Sequence, residues 1–271
     1  MADADLEAAL PAGSVPVDRV ALATGTVVVT DLHLAPLGGP RVDAFGAWCD
    51  GLKDVPAVCC LGDLFDTWVG RRQATIPGSA QVLDALARLV ARGVDVHLVP
   101  GNRDALIDED FERRTGGSLH SEGFVASLEG GGTATFVHGD GLCTLDLDYL
   151  KLRRLWRVGA VRGLSRHVPL WVARRIAARL RGASETSKPL KLPEERSIRP
   201  AAVRALAEAT SASTVVCGHA HEARDEELRG ADGAPTVRWI VVGAWEAERD
   251  LLTVTPGGGL TLGASATISA P

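Results

Sequence analysis

The sequence predicts an α/β fold, and three observations predict it. Short, almost wholly apolar runs recur along the chain, as in strands buried on both faces. Amphipathic helical stretches lie between some of them. Most of the runs end in a polar cluster, the arrangement in which loops at strand ends gather over one crevice.

Taken in order, residues 1–24 hold Pro11, Gly13 and Pro16 with little periodicity and are expected to form a flexible leader. A domain spanning 25–262 comes next. Its apolar runs are 27–30, 57–61, 94–99, 133–137, 214–217 and 239–242, each read as a strand. Residues 82–92 set Val82, Leu83, Leu86, Leu89 and Val90 on one helical face, and 201–209 repeat that pattern more briefly. Antiparallel pieces are expected late in the chain. Residues 148–195 break the alternation. They read as two basic amphipathic helices interrupted near Pro169, inserted into the domain as a cap.

Composition narrows the classes further. The chain has 271 residues, 46% of them hydrophobic, enough for a sizeable core. No apolar run reaches the ~18–20 residues of a membrane-spanning helix, and the acidic start is unlike a secretory signal, so a cytosolic protein is expected. Five cysteines, two of them adjacent, suit buried reduced thiols better than a disulfide framework. A net charge of −5 argues against general nucleic-acid binding. That average conceals one basic segment: residues 151–181 hold ten Lys or Arg and no acid, leaving −15 (−5 minus 10) for the rest.

Five polar clusters directly follow predicted strands: Asp31-Leu-His33, Gly62-Asp63-Leu-Phe-Asp66, Gly101-Asn102-Arg103-Asp104, His138-Gly139-Asp140 and Gly218-His219-Ala220-His221. Carboxylate, imidazole and amide oxygen together suit Mn²⁺, Fe²⁺ or Zn²⁺. Asp31 and His33 point the same way if the strand stays extended there. A single such histidine reads as an ordinary hydrogen-bonded residue; five clusters in this order, each after a strand, read as a metal centre. His97, His120 and His167 fall outside the clusters and are read as structural or surface residues, and Trp68 and Trp245 as packing residues.

The order DxH, GDxxD, GN[HR][DE], HG, GHxH resembles the calcineurin-like metallophosphoesterases from Asp31 to His221. The resemblance implies a four-layer α/β/β/α sandwich with two divalent metal ions, most often Mn²⁺. It assigns one ion to Asp31, His33, Asp63 and His221 and the other to Asp63, Asn102, His138 and His219, with Asp63 bridging. Asp66, Asp104 and Asp140 would support those ligands. Residues 62–68, 101–104, 138–144, 175–181 and 242–245 are similar to the UDP-2,3-diacylglucosamine diphosphatases of lipid A synthesis. That likeness implies hydrolysis of a UDP-linked acylated glucosamine at its pyrophosphate, giving UMP and a sugar 1-phosphate. It also implies substrate contacts from Asn102, Arg103, Asp146, Tyr149, Ser184, Thr186, Lys188 and His219, and catalytic roles for Asp63, Asn102 and Arg103. The segment from Ser184 to Lys188 is shorter than in that family, Ala220 replaces its usual Thr, and Glu222 stands where a basic residue is usual.

Arg103 bears on the leaving group. A guanidinium keeps its charge and cannot act as a general acid, although it can hold phosphate oxygens at two points. Such a site favours a leaving group that departs as a phosphate anion, as in pyrophosphate cleavage. The alternative is that Arg103 pairs with a neighbouring acid such as Asp104. The basic cap, with Leu155, Trp156 and Trp171 among its cations, suits an anionic membrane surface; its alternative is a solvated helix pair. Three other functions stay open on sequence: a phosphodiesterase or phosphatase with another substrate, a metal-free scaffold, and a peripheral membrane module.

Overall fold

The computed structural model describes residues 10–157, 161, 163, 169, 171–172, 175, 197–230 and 235–267. In chain order these form β1 (Asp18–Leu22), β2 (Val27–Val29), α1 (Pro40–Gly51), β3 (Ala57–Leu61), α2 (Pro77–Ala91), β4 (Asp95–Val99), α3 (Asp110–Thr115), β5 (Ser118–Leu119), β6 (Phe124–Leu128) and β7 (Thr133–Phe136). After them come α4 (Leu147–Arg157), α5 (Pro200–Thr210), β8 (Thr214–Cys217), β9 (Arg224–Leu228), β10 (Val237–Val241), β11 (Leu251–Thr255) and β12 (Gly259–Gly263).

Two six-stranded sheets result, ordered β1-β6-β7-β8-β10-β9 and β12-β11-β2-β3-β4-β5. In the second sheet β2, β3, β4 and β5 run parallel, and in the first β7, β8 and β10 do. The apolar runs are continuous because each strand buries both faces. In β3, Val58 and Cys60 face a cluster with Phe45, Trp48 and Leu86 of the helices α1 and α2. Cys59 and Leu61 face the opposite way, against Phe124, Phe136, Val216 and Ile240 of the other sheet. On the far side, Val215, Cys217 and Trp239 pack under Val203 and Leu206 of α5. The layers are therefore helix, sheet, sheet, helix, the sandwich that the motif order implied.

All five cysteines are buried thiols outside any disulfide. No helix among the described residues is long and apolar enough to cross a membrane. One sequence expectation is corrected. Asp18–Leu22, assigned to the flexible leader, forms β1 in parallel register with Phe124–Leu128. Its residues are mostly exposed because it is an edge strand, which removes the apolar run that marked the inner strands. Most of the expected cap, 148–195, lies outside the described residues, as do His167, Ser184, Thr186 and Lys188.

Candidate metal centre

Parallel strands deliver their carboxyl ends to one rim. From the second sheet, the loops after β2, β3 and β4 bring Asp31, His33, Asp63, Asn102 and Arg103. From the first, the loops after β7 and β8 bring His138, His219 and His221. All eight sequence-predicted residues converge there.

The local backbone is unusual. Among the described residues eight non-glycines have positive φ, and five of them are Asp31 (51°), His33 (49°), Asp63 (50°), His219 (65°) and His221 (63°). Left-handed backbone at a non-glycine carries strain and gathers at functional sites. The condition under which Asp31 and His33 would point the same way, a strand extended through both, is not met. β2 ends at Val29, and the two ligand loops instead fasten to each other, His33 N donating to Asp63 O at 2.9 Å and Leu34 N to Leu64 O at 2.9 Å. Crowding demands glycine at the neighbouring turns. A Cβ on Gly62 would overlap the His138 ring, and one on Gly218 would come within 2.6 Å of Asp31 Oδ2.

Two groups of ligand atoms adjoin. Asp31, His33 and His221 form one, and Asp31, Asp63 and His138 the other, with the atoms in each within 4.8 Å of one another. His33 Nε2 and His221 Nε2 are 3.3 Å apart, and His221 Nε2 lies 3.3 Å from Asp31 Oδ1. Asp63 sits between the groups: Oδ2 is 3.9 Å from His33 Nδ1, and Oδ1 is 3.8 Å from His138 Nε2. Asn102 Oδ1 is 3.1 Å from both His138 Nε2 and His219 Nδ1.

Supporting contacts aim these side chains. His138 Nδ1 donates to Leu61 O at 2.8 Å, which presents Nε2 to the site. Asp31 Oδ2 accepts from Thr30 Oγ1 and from His219 N, both at 2.8 Å. Thr30 Oγ1 also lies 2.8 Å from Leu61 O, so its one proton is shared between the two acceptors. This residue was not singled out from sequence; the only signal was a hydroxyl at the end of an otherwise apolar run. Arg103 N donates to Asp63 Oδ1 at 2.8 Å, and the Arg103 guanidinium lies 3.4 Å from Asp66 Oδ1. Arg103 thus pairs with a neighbouring acid, as the alternative reading held, but the acid is Asp66 and not Asp104. Asp104 is buried and accepts from Gly101 N at 2.7 Å and Phe65 N at 3.3 Å, which pins the Asn102-Arg103 turn to the loop of Asp63.

The donor set fits divalent cations. Among the described residues, Asp31 Oδ1 and His33 Nδ1 are buried without a hydrogen-bond partner, and buried polar atoms are rarely left so. Burial pushes the Asp63 carboxyl well above its ordinary range. Burial would raise Asp31 too, but the imidazoles of His221, His138 and His219 hold it below. Burial lowers His33 to about 4 and His219 to about 4, so both remain neutral, metal-binding imidazoles. On His138 burial opposes charge, yet Asp63, Asp31 and Asp140 outweigh it and raise the imidazole to about 9. Asp31, held ionised, the buried Asp63 carboxyl and the neutral imidazoles of His33 and His219 form a donor set that a divalent cation would fit.

The remaining predicted residues lie at the start of α4. Asp146 Oδ1 accepts from Tyr149 N at 3.1 Å, a helix N-cap, and the Tyr149 hydroxyl donates to Asp140 Oδ2. His97 and His120, read as structural, bond to each other at 3.1 Å, and His120 bonds to Asp18 at 2.7 Å. Trp68 and Trp245 are buried in the helix-side core.

A two-sheet sandwich with paired carboxylate–imidazole groups at its strand ends is a metallophosphoesterase arrangement, and the model of the family described as calcineurin-like phosphoesterase matches residues 26–223; the chain belongs to that family. Within it, the chain is similar to proteins named UDP-2,3-diacylglucosamine hydrolase. The protein from Aeromonas salmonicida is 35% identical, covering 86% of this chain and 90% of its own. That from Shewanella pealeana is 36% identical over 86% and 95%, and that from Shewanella piezotolerans 33% over 85% and 94%. Among solved structures, Vacuolar Protein Sorting 29 from Cryptosporidium parvum aligns over 88% of this chain at a TM-score of 0.37 and 12% identity.

Proposed function

We propose that this chain hydrolyses the pyrophosphate bond of UDP-2,3-diacylglucosamine to UMP and 2,3-diacylglucosamine 1-phosphate, a step of lipid A biosynthesis. The observation that carries it is the pair of adjoining ligand groups sharing Asp31, with Asp63 between them, in a chain whose named relatives are hydrolases of that substrate. Asp31, His33, Asp63 and His221 would hold one divalent ion, and Asp63, Asn102, His138 and His219 the other, with Mn²⁺ the favoured metal. Such ions supply charge neutralisation at the phosphates and a more acidic water.

The chain's own residues do the rest. Asp63 spans both ligand groups, since a carboxylate offers two oxygens. Asn102 and His219 meet at the rim where the pyrophosphate would lie. Arg103, tethered through its backbone to Asp63, presents a permanently charged fork for phosphate oxygens. It offers no proton, which favours a phosphate leaving group over an alkoxide. Asp146, Tyr149, Ser184, Thr186 and Lys188 are assigned to the nucleotide and sugar side. Leu147, Leu155 and Trp171 are exposed apolar side chains in and beside the basic 151–181 stretch, which supports docking on the inner face of an anionic membrane.

The test is UMP release from UDP-2,3-diacylglucosamine by purified, Mn²⁺-loaded protein. Turnover that chelation removes and Mn²⁺ restores is the expected result. Metal-loaded protein that splits bis-p-nitrophenyl phosphate but releases no UMP would reject this substrate.

A further inference from the structure

Four charged side chains outside the ligand groups join the first helix of the 148–195 segment to the loop carrying His138. Arg153 of α4 is 6% exposed. Its Nε donates to Asp140 Oδ2 at 2.8 Å, and its Nη2 donates to Glu122 Oε2 at 3.0 Å. One guanidinium thus spans two carboxylates from different loops. Asp140 is two residues past His138 and also accepts the Tyr149 hydroxyl. Arg157, one turn along α4, pairs with Glu122 and donates to Ser121 O at 3.0 Å. The carboxylates and guanidiniums balance, two against two.

The fit is close as well as charged. A Cβ on Gly141 would stand 3.2 Å from Arg153 Cζ, so the guanidinium lies flat against the loop backbone. Leu10, Ser14 and Leu206 line the small cavity beside Arg153 and Arg157, keeping that side of the network largely out of bulk water. Low local dielectric strengthens such pairs and makes a half-broken one costly. Most of the other α4 side chains are at least partly exposed; of the helix, only Leu150 and Arg153 are buried.

We infer that Arg153 is a positioning residue: by bridging Asp140 and Glu122 it sets where the helical segment begins relative to the metal centre, and so holds Asp146 and Tyr149 over the substrate. This rests on the proposed function for its substrate side only.

Arg153→Met, Arg153→Lys and Glu122→Gln test it in the full chain, by amide hydrogen exchange of 147–157, Mn²⁺ affinity by calorimetry, and separate kcat and KM for the acylated sugar nucleotide. In Arg153→Met, exchange across 147–157 should rise about tenfold. KM should rise about tenfold with kcat changed less than about threefold, the signature of lost binding rather than lost chemistry. Mn²⁺ affinity should stay within about threefold, because His138 takes its orientation from Leu61 O and not from Asp140. Arg153→Lys should fall between, since an ammonium cannot fork to two carboxylates. Glu122→Gln, the milder lesion, carries the test if Arg153→Met does not fold, with a smaller rise in exchange and KM. Unchanged exchange of 147–157 in the variants that fold overturns the inference, as does a fall in kcat at constant KM. If wild-type protein releases no UMP, the substrate reading fails, while the exchange and Mn²⁺ measurements still judge the bridge.

Discussion

His33 and His221 face each other with their Nε2 atoms 3.3 Å apart, although 188 residues separate them in sequence. Two ring nitrogens this close repel unless a proton or a cation lies between them. A neutral imidazole keeps one N–H, so one ring can donate to the other when no metal is bound, while burial, which lowers His33 to about 4, keeps a second proton off that ring. With each N–H on Nδ1, both Nε2 lone pairs and Asp31 Oδ1, 3.3 Å from His221 Nε2, face the place a metal would take.

Removing the central carboxylate should empty that place. Asp63→Ala and His138→Ala are each expected to abolish hydrolysis while the fold survives. Elemental analysis should fall below two ions per chain, with far-ultraviolet circular dichroism unchanged. Wild-type turnover in either variant would refute the ligand assignment.

The turn that carries Asn102 and Arg103 depends on Asp104. Its buried carboxylate serves the Gly101 and Phe65 amides. Asp104→Ala orphans both, at a cost of about 1–3 kcal/mol for each unsatisfied group. Urea denaturation should detect that loss, and kcat should fall with it as Asn102 drifts. Asp104→Asn keeps one acceptor and should lie between.

Crowding at Gly218 makes a separate prediction. A side chain there collides with Thr30 and Asp31. Gly218→Ala should lower stability by about 1–3 kcal/mol. It should also weaken Mn²⁺ binding measured by calorimetry, because the collision falls on a ligand. Undiminished affinity would show that the loops can shift without harm.

Metal-free protein should weaken as acid is added, and His97 isolates one cause. It is no ligand of the centre; burial, then His120, lowers it to about 4 from an ordinary 6.5. Between those values the unfolded chain takes up a proton that the folded chain refuses, so stability falls as pH drops from about 6.5 toward 4. The contribution is on the order of 3 kcal/mol at most. His33 and His219 titrate in the same sense. His138, raised to about 9, works in the opposite direction, its share being lost as pH rises from 6.5 through 9. Thermal melts of chelated protein should show a steep acid limb, shallower in His97→Phe. An unaltered limb in that variant would place the cause elsewhere.

Six of the eight inner strands were legible because burial on both faces leaves a run without polar interruption: β3 and β8 were read with their observed bounds, and β2, β4, β7 and β10 within two residues at each end, whereas β6 and β11, interrupted by Ser127 and Thr253, were not read. Edge strands were not. Arg224–Leu228 reads RDEEL, nearly all exposed, and pairs with β10 through its backbone and the Arg238–Asp225 ion pair. Helix α1 was missed because Pro40, Gly46 and Gly51 dilute its pattern, although Phe45 and Trp48 anchor it. At the site, the candidate ligands were visible as motifs after strands, but the left-handed backbone of Asp31 and His33 was not, since both are ordinary residues in sequence. Arg153 was hidden in a uniformly basic stretch, its partner Asp140 thirteen positions earlier in another loop.

Asp31, Asp63 and Asn102 hang from one sheet, and His138, His219 and His221 from the other. Ions gripped by both would act as rivets between two plates that otherwise meet through greasy side chains and a few polar bonds such as that of His138 Nδ1 to Leu61 O. Whatever binds the folded chain and not the unfolded one adds to its stability in proportion to the logarithm of its concentration. Starving a cell of the metal would therefore do more than idle the catalyst. It would loosen the seam between the plates and leave the chain open to unfolding and clearance.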